Sequence, residues 1–565
     1  MGTYKVFPSI GVARLGNSTE ADNYYYIAPE TSGGLPILPD GGIFTENDFR
    51  DSAGNMKRQG ARFRVYYFPE AGEGGDPYEV LLDGDTSITW TVHLANKKSV
   101  WYEFSTMLGE GEYPPTTDLR NLQVTSNRET LITDPGPRTL TGPDQSAEFS
   151  RTSDSSGYAM TFPPEGLQPF PIDTLGEIRT DSDGRLIVIG ALGNSGTDQT
   201  YPLPEPEDLD YVNNNHWWDD TADGPVSATV TVNGQTYEAE PGWVVSVPPA
   251  YAPEILAQIS MYDVMYDVAV RYLGAGDPND IDGDMTKLLN RAFDYKWLTS
   301  DEPGCHRSLT SQHISYMRSP DEANEPPQKK MPTLAGDRSI SPNLDSKYVT
   351  FPQAHIDLGY RWEVGDYPEP TEPTEWDLLT RAALDNCSGA AFAPGIEMTW
   401  FSRRSEIYAE AFRLKHRSYS YPLSTDATPL TEGLEPGDFI KYMAIPWQAD
   451  FNECSVQWID GPDVHWWPAQ RPLMVYDQDS GVKRPWIGDD NADPDNANYL
   501  RFNKNTDMVE DWDKLGFVFN VGTAETPDFV EVQRTLVEAN EEEKRKSRPT
   551  KYEFRSGKGK GRKTR

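Results

Sequence analysis

Apolar residues follow two rhythms along the chain, a two-residue alternation before about Tyr251 and a three-to-four-residue recurrence after it. KRQGARFRVYYF (Lys57–Phe68) alternates from Ala61 onward, the mark of a strand with one buried face. Ser87–Phe104 opens with a strand carrying Trp90, Val92 and Leu94 on one parity. His93 falls on the other, where a surface or second-sheet hydrogen bond is expected. Asp183-Gly184 turns into the buried strand RLIVIGAL, and Asn233-Gly234 joins VSATVTV to TYEAE as a hairpin. Beyond Tyr251, apolar residues at 255, 256, 259, 262, 265, 266, 269 and 270 predict a helix over Pro253–Leu273. Helices are also expected over Thr371–Cys387 and Glu406–His416, followed by a strand at Gly516–Val521 and a charged helix from Val530. The tail from Arg548 has no apolar period and reads as disordered.

These elements predict an α+β protein, β-rich and mostly antiparallel in its N-terminal half, with mixed helix and loop in a C-terminal catalytic half. The expected division is a β-rich domain over 1–250, a catalytic region over 251–540 and a basic tail over 541–565. With 46 Gly and 46 Pro in 565 residues, short strands and long loops are favoured over a helical bundle.

Charge narrows the partners. The chain carries −38 overall, while its last 25 residues carry +7, so the body is at −45. Such a field repels nucleic acid and anionic membrane and draws in cationic substrates such as amines. Solubility in a salty setting explains the same charge equally well. No run of about 18 apolar residues predicts a membrane span. The N-terminus shows no signal peptide pattern, so a cytoplasmic or non-classically released protein is expected.

Three cysteines without a C-x-x-C pair exclude a disulfide framework and a structural zinc site. WWDDTADGP at Trp217–Pro225 lacks the ligand spacing of a calcium loop, and no metal is expected. Nucleotide, serine hydrolase and zinc protease motifs are absent. Composition alone leaves open an acidic, β-rich carbohydrate-active or binding protein whose Trp and Tyr line a sugar cleft.

Rare residue types crowd into Asp385–Pro472: Cys387 and Cys454, His416 and His465, and several tryptophans. Gly389, Pro394 and Gly395 break the chain just after Cys387, as a turn that places one side chain would. A thiol among small residues is ordinarily buried and inert, and a disulfide to Cys454 is a further option.

The motifs PSIGVARLGNS, YYIAPE, KRQGARFRVY, WTVHLANKKSVWY, CSGAAFAPGIEMTW, GDFIKYMAIPWQADFNEC, WWPAQRP and DWDKLGFV run from end to end of the chain. Together they resemble the cysteine tryptophylquinone amine oxidases, the lysine 6-oxidase and glycine oxidase family. The resemblance implies a cofactor made from the chain itself: one Cys joined by a thioether to one Trp, whose ring is oxidised to an ortho-quinone. It also implies oxidative deamination of a primary amine or amino acid, with dioxygen as acceptor and an aldehyde or oxo acid, ammonia and hydrogen peroxide as products. A maturation flavoprotein and a homo-oligomer are implied as well. Cys387 matches the thioether cysteine. Trp447, in PWQ, is the expected ring, with Trp467 as runner-up and Cys454 as an alternative sulfur. Asp385 is a candidate for assisting cross-linking or acting as base, His416 for acting as base or orienting substrate, and Glu397 and Arg471 for supporting the site. A family member without the cofactor, acting as a binding protein, is the remaining alternative.

Overall fold

The computed structural model describes residues 2–535, apart from 71, 73, 106–112, 156, 301–308, 327–328, 337–346, 390–394, 398–399, 459–462, 488–501 and 503. Part of the turn after Cys387, all of the C-terminal tail and the third cysteine, Cys305, therefore lie outside the described residues.

Thirteen strands of the first half form one sheet. Its main path runs Arg138–Thr141, Thr86–Val92, Ala222–Val232, Gly242–Val247, Ile10–Arg14, Arg58–Phe68, Leu186–Ile189, Thr174–Thr180, Ser146–Ser150. Nearly every pairing is antiparallel. The exceptions are Gly242–Val247 on Ile10–Arg14 and Tyr25–Ile27 on Arg58–Phe68. The two end strands are consecutive in the chain and touch, so the sheet curls almost into a barrel. Phe63, Trp90, Phe149, Val188, Val226 and Val244 fill its inside. The hairpin at Asn233-Gly234 forms with Val232 opposite Gln235, both turn residues at positive φ, the backbone this two-residue turn demands.

The strand Gly242–Val247 is buried at every position. Val244 points into the barrel, while Trp243, Val245 and Val247 join Ile10 and Val12 in a second, larger core shared with the helices. Burial on both faces is why this strand reads as a continuous apolar run rather than an alternation.

The helical half departs from the pattern in three places. The first helix, α1 (Met261–Tyr272), starts eight residues later than Pro253, because Ser260 and Asp263 close a capping box there. After α2 (Ile281–Asp294) and α3 (Gln353–Val364) comes α4 (Glu375–Asp385), capped by Thr374 and ending just before Cys387. The helix expected over Glu406–His416 is absent. A single 3-10 turn at Ser405–Ile407 leads into a hairpin of Tyr408–Glu410 with Arg413–Leu414. Arg413 donates to the carbonyls of Val6 and Pro241, and this docking on the sheet edge overrides helical periodicity. The segment around Val530 is likewise a strand, Phe529–Val532, paired with Phe517–Asn520. The remainder of that expected helix, from residue 536, lies outside the described residues.

His93 is not at the surface. It is 1% exposed, with its ring nitrogens 2.7 Å from Asp134 Oδ1 and 3.0 Å from Tyr419 Oη. Among the described residues no helix is long and apolar enough to cross a membrane, and no cluster of His, Cys, Asp or Glu could hold a metal ion.

Candidate active site

Cys387 follows the last turn of α4, its N–H donating to the Leu384 carbonyl at 3.2 Å. Its own carbonyl accepts from Met261 at the start of α1, and Gly389 N–H donates to Ile259 at 2.9 Å. The two backbones run so close that a Cβ on Gly389 would lie 1.9 Å from the Ser260 carbonyl oxygen. Glycine at 389 is therefore what allows Cys387 to sit against α1. The thiol is buried and borders a cavity of about 10 Å³, which Ala252, Asp385, Ser388, Ala469 and Gln470 also line.

A buried ion pair frames the sulfur. Arg14, at the end of the strand Ile10–Arg14, places Nη2 3.8 Å from Cys387 Sγ and pairs with Glu397. Its remaining bonds go to the Pro248 carbonyl at 2.9 Å and the Asn386 carbonyl at 2.8 Å. Glu397 accepts from Ser388 N–H at 2.5 Å. Burial, and then the Glu397 carboxylate, push the Cys387 thiol well above its ordinary pKa, which the Arg14 charge only partly offsets. The thiol is protonated at neutral pH.

Asp385 reaches the same cavity with both carboxylate oxygens engaged. Oδ1 accepts from Ser260 Oγ at 2.7 Å and faces Arg291 at 3.4 Å; Oδ2 accepts from Ser32 Oγ at 2.8 Å and faces Arg381 at 3.3 Å.

Trp447 opens the short helix α5 (Trp447–Glu453) directly after Pro446. Its N–H donates to Asp219 Oδ2 at 3.0 Å, an oxygen that also accepts from Lys98 Nζ at 2.7 Å. WWDDTADGP thus contributes a carboxylate that fixes the start of α5. The indole packs edge-on against Phe451 and Trp512, and its buried Nε1–H has no partner among the described residues. One turn later on the same face, Asp450 Oδ1 accepts from the Cys454 thiol at 2.8 Å, and Oδ2 has no partner. Burial pushes the Asp450 carboxyl up to about 8.

Trp447 and Trp467 both lie in the large core that contains Cys387, but neither lines the small cavity beside the thiol. The two tryptophan segments are fastened together. Arg471, four residues past Trp467, donates to the carbonyls of Phe451 and Asn452 at the end of α5. His416 is not brought to this cavity. Its ring stands edge-on to Trp243 at 5.0 Å. Burial and the Arg413 charge lower its pKa to about 4, so it is neutral.

Sequence reasoning found Cys387, Asp385 and Glu397, which the fold assembles, and passed over Arg14, Asp219 and Asp450. Arg14 carries one usable signal, a lone charge ending the apolar strand IGVAR. Asp219 and Asp450 sit in a chain rich in carboxylates and carry none.

Among the described residues Cys387 is a free thiol and Trp447 a buried indole in the same core, the two residue types from which a thioether-linked quinone is made. Residues 7–246 match the family model for the L-lysine epsilon oxidase N-terminal region, and residues 332–470 match the one for its C-terminal domain. The chain is 30% identical over 537 residues to the L-lysine 6-oxidase of Marinomonas mediterranea, covering 80% of this chain and 71% of that one. The crystal structure of the L-Lys epsilon-oxidase from the same organism superposes with a TM-score of 0.78 at 25% identity, covering 94% of this chain and 95% of that one. A second structure, described as its Schiff base intermediate with L-Lys, superposes equally well. The fold is thus the α+β, β-rich architecture of that oxidase, and this chain belongs to the L-lysine epsilon-oxidase family.

Proposed function

We propose that this chain oxidatively deaminates a primary amine or amino acid, with a lysine-like ε-amine or a glycine-like substrate, using dioxygen and a cysteine tryptophylquinone built from Cys387 and Trp447. The products are an aldehyde or oxo acid, ammonia and hydrogen peroxide. The observation that carries this reading is the pairing of family membership with a buried free thiol at 387 and a buried indole N–H at 447 that has no partner among the described residues.

When formed, the quinone supplies an electrophilic carbonyl and accepts an electron pair. The chain does the rest. Its strongly negative body concentrates cationic amines near the site. Asp219 and Lys98 fix the first residue of α5 and hence the direction of the Trp447 ring. Asp385, held by four donors, secures the end of α4 and with it Cys387. Asp450 has an unengaged oxygen one turn from Trp447 and takes the proton from the carbon bearing the substrate nitrogen. A pKa near 8 makes its conjugate base strong enough for that task while a fraction is ionised at neutral pH. Core packing excludes water around Trp447.

We further propose that a flavoprotein partner matures the chain and that the active form is a homo-oligomer. The test is peroxide release from a matured preparation across amino acids and polyamines, with and without phenylhydrazine. Turnover that phenylhydrazine blocks is the expected result. A cross-linked preparation silent on all of these amines refutes the reading.

A further inference from the structure

Arg14 and Glu397 are 3% and 1% exposed at their side chains. Removing two such charges from water costs several kcal/mol per ion, and apolar residues of equal volume would fill the space at least as stably. Stability therefore does not explain why the fold buries this pair beside a thiol. The contacts point instead at the sulfur. Arg14 is held by the carbonyls of Pro248 and Asn386, so its guanidinium is locked with Nη2 at 3.8 Å from Cys387 Sγ. Glu397 accepts from Ser388 N–H and pairs with Arg14, so one locked guanidinium faces both this carboxylate and the Cys387 sulfur. Arg14 comes from the barrel and Glu397 from ten residues past Cys387, so the device spans both halves of the protein.

We propose that Glu397 is the base that receives the Cys387 proton when the sulfur is joined to the Trp447 ring, and that Arg14 is the positioning residue that holds Glu397 and the sulfur together. The inference rests on the quinone reading above. In the step, the S–H bond breaks and its proton passes to Glu397, while a sulfur lone pair forms the bond to a ring carbon of Trp447. The hydrogen on that carbon leaves as a proton. The two electrons of its C–H bond go to a two-electron oxidant of the flavin class, the maturation flavoprotein proposed above, which is reduced.

The test has two readouts besides turnover. Wild type, Glu397→Gln and Arg14→Lys are produced in the native host, where the maturation partner is present, and digested for the Cys387–Trp447 linked peptide. Glu397→Gln keeps an acceptor for Ser388 N–H but cannot take a proton at neutral pH, so its linking rate falls by roughly 100-fold. Arg14→Lys keeps the charge and links at an intermediate rate. In unmodified protein from an unrelated host, the Cys387 S–H stretching band is assigned by its loss in Cys387→Ala. It is shifted down by the carboxylate and moves back toward the free-thiol position in Glu397→Gln, a change that a merely structural role would not produce. Linking at the wild-type rate in Glu397→Gln, or an unmoved S–H band, overturns the proposal and leaves the quinone reading standing. Wild-type protein with both peptides unlinked overturns the quinone reading and this proposal with it. Should Glu397→Gln accumulate poorly, Arg14→Lys decides: slowed linking supports the assignment and unchanged linking overturns it.

Discussion

Asp450→Asn should remove a specific pH dependence from the protein's stability. In the folded chain the Asp450 carboxyl titrates near 8, because it is fully buried and, among the described residues, no cation forms an ion pair with it to offset that burial. In the unfolded chain an aspartate titrates near about 3.9. Between those two values the folded state holds a proton that the unfolded state has released. Stability from this group is therefore complete below the unfolded value and is lost as pH rises toward 8. The loss is a little over about 1 kcal/mol per pH unit, or roughly 4 kcal/mol between about pH 4 and pH 7. Burial leaves no solvent to screen it. Asn does not titrate, and its amide oxygen can accept the Cys454 thiol as Asp450 Oδ1 does. Urea unfolding of both proteins at several pH values, taken as a difference, cancels other buried carboxyls whose pKa values are also raised, Asp220, Asp223 and Glu397 among them. The Asn variant should gain on wild type steadily as pH rises. Parallel stability curves would refute the argument. Because Asp450 is also the proposed proton acceptor, turnover should fall by about 100-fold or more in the same variant.

Cys387→Ala should abolish both quinone absorbance and peroxide release, whereas Cys454→Ala should retain both, since that thiol donates to the Asp450 carboxyl and lies outside the cavity beside Cys387. Gly389→Ala sets a Cβ against the Ser260 carbonyl and should cost about 1–3 kcal/mol in thermal or urea unfolding, together with loss of the cross-link. His416 is held neutral, with a pKa near 4, so the stability it contributes is lost as pH falls from about 6.5 toward 4. His416→Gln should flatten that acid loss and leave the pH profile of turnover unchanged above about pH 5; a displaced limb near neutrality would show that His416 takes part in proton transfer.

The strands of the barrel were legible because each half-buried strand writes its alternation into the sequence, and Asn233-Gly234 is a turn with one favoured geometry. The hairpin at Tyr408–Leu414 was not. Its helical period is real, but docking of Arg413 on the carbonyls of Val6 and Pro241 depends on a strand some 400 residues away, which local pattern does not encode. The late start of α1 was available in principle, since Ser260 and Asp263 spell a cap three residues apart. Cys387 stood out because cysteine is rare here and glycines and prolines follow it. Arg14 and Asp450 become visible only once the fold shows what they face: each a buried cysteine thiol. Asp385 stands two residues before Cys387 in the sequence, but only the fold shows the four donors that engage its two carboxylate oxygens.

The central claim is a covalent bond between Cys387 Sγ and a ring carbon of Trp447 on a doubly oxygenated indole. Peptide mapping of the matured protein by tandem mass spectrometry tests it at atomic level. The account predicts one branched species joining the two peptides, heavier than their unmodified sum by about 28 Da, from gain of two oxygens and loss of four hydrogens. Two separate peptides of unmodified mass, with Cys387 open to alkylation after denaturation, would contradict it.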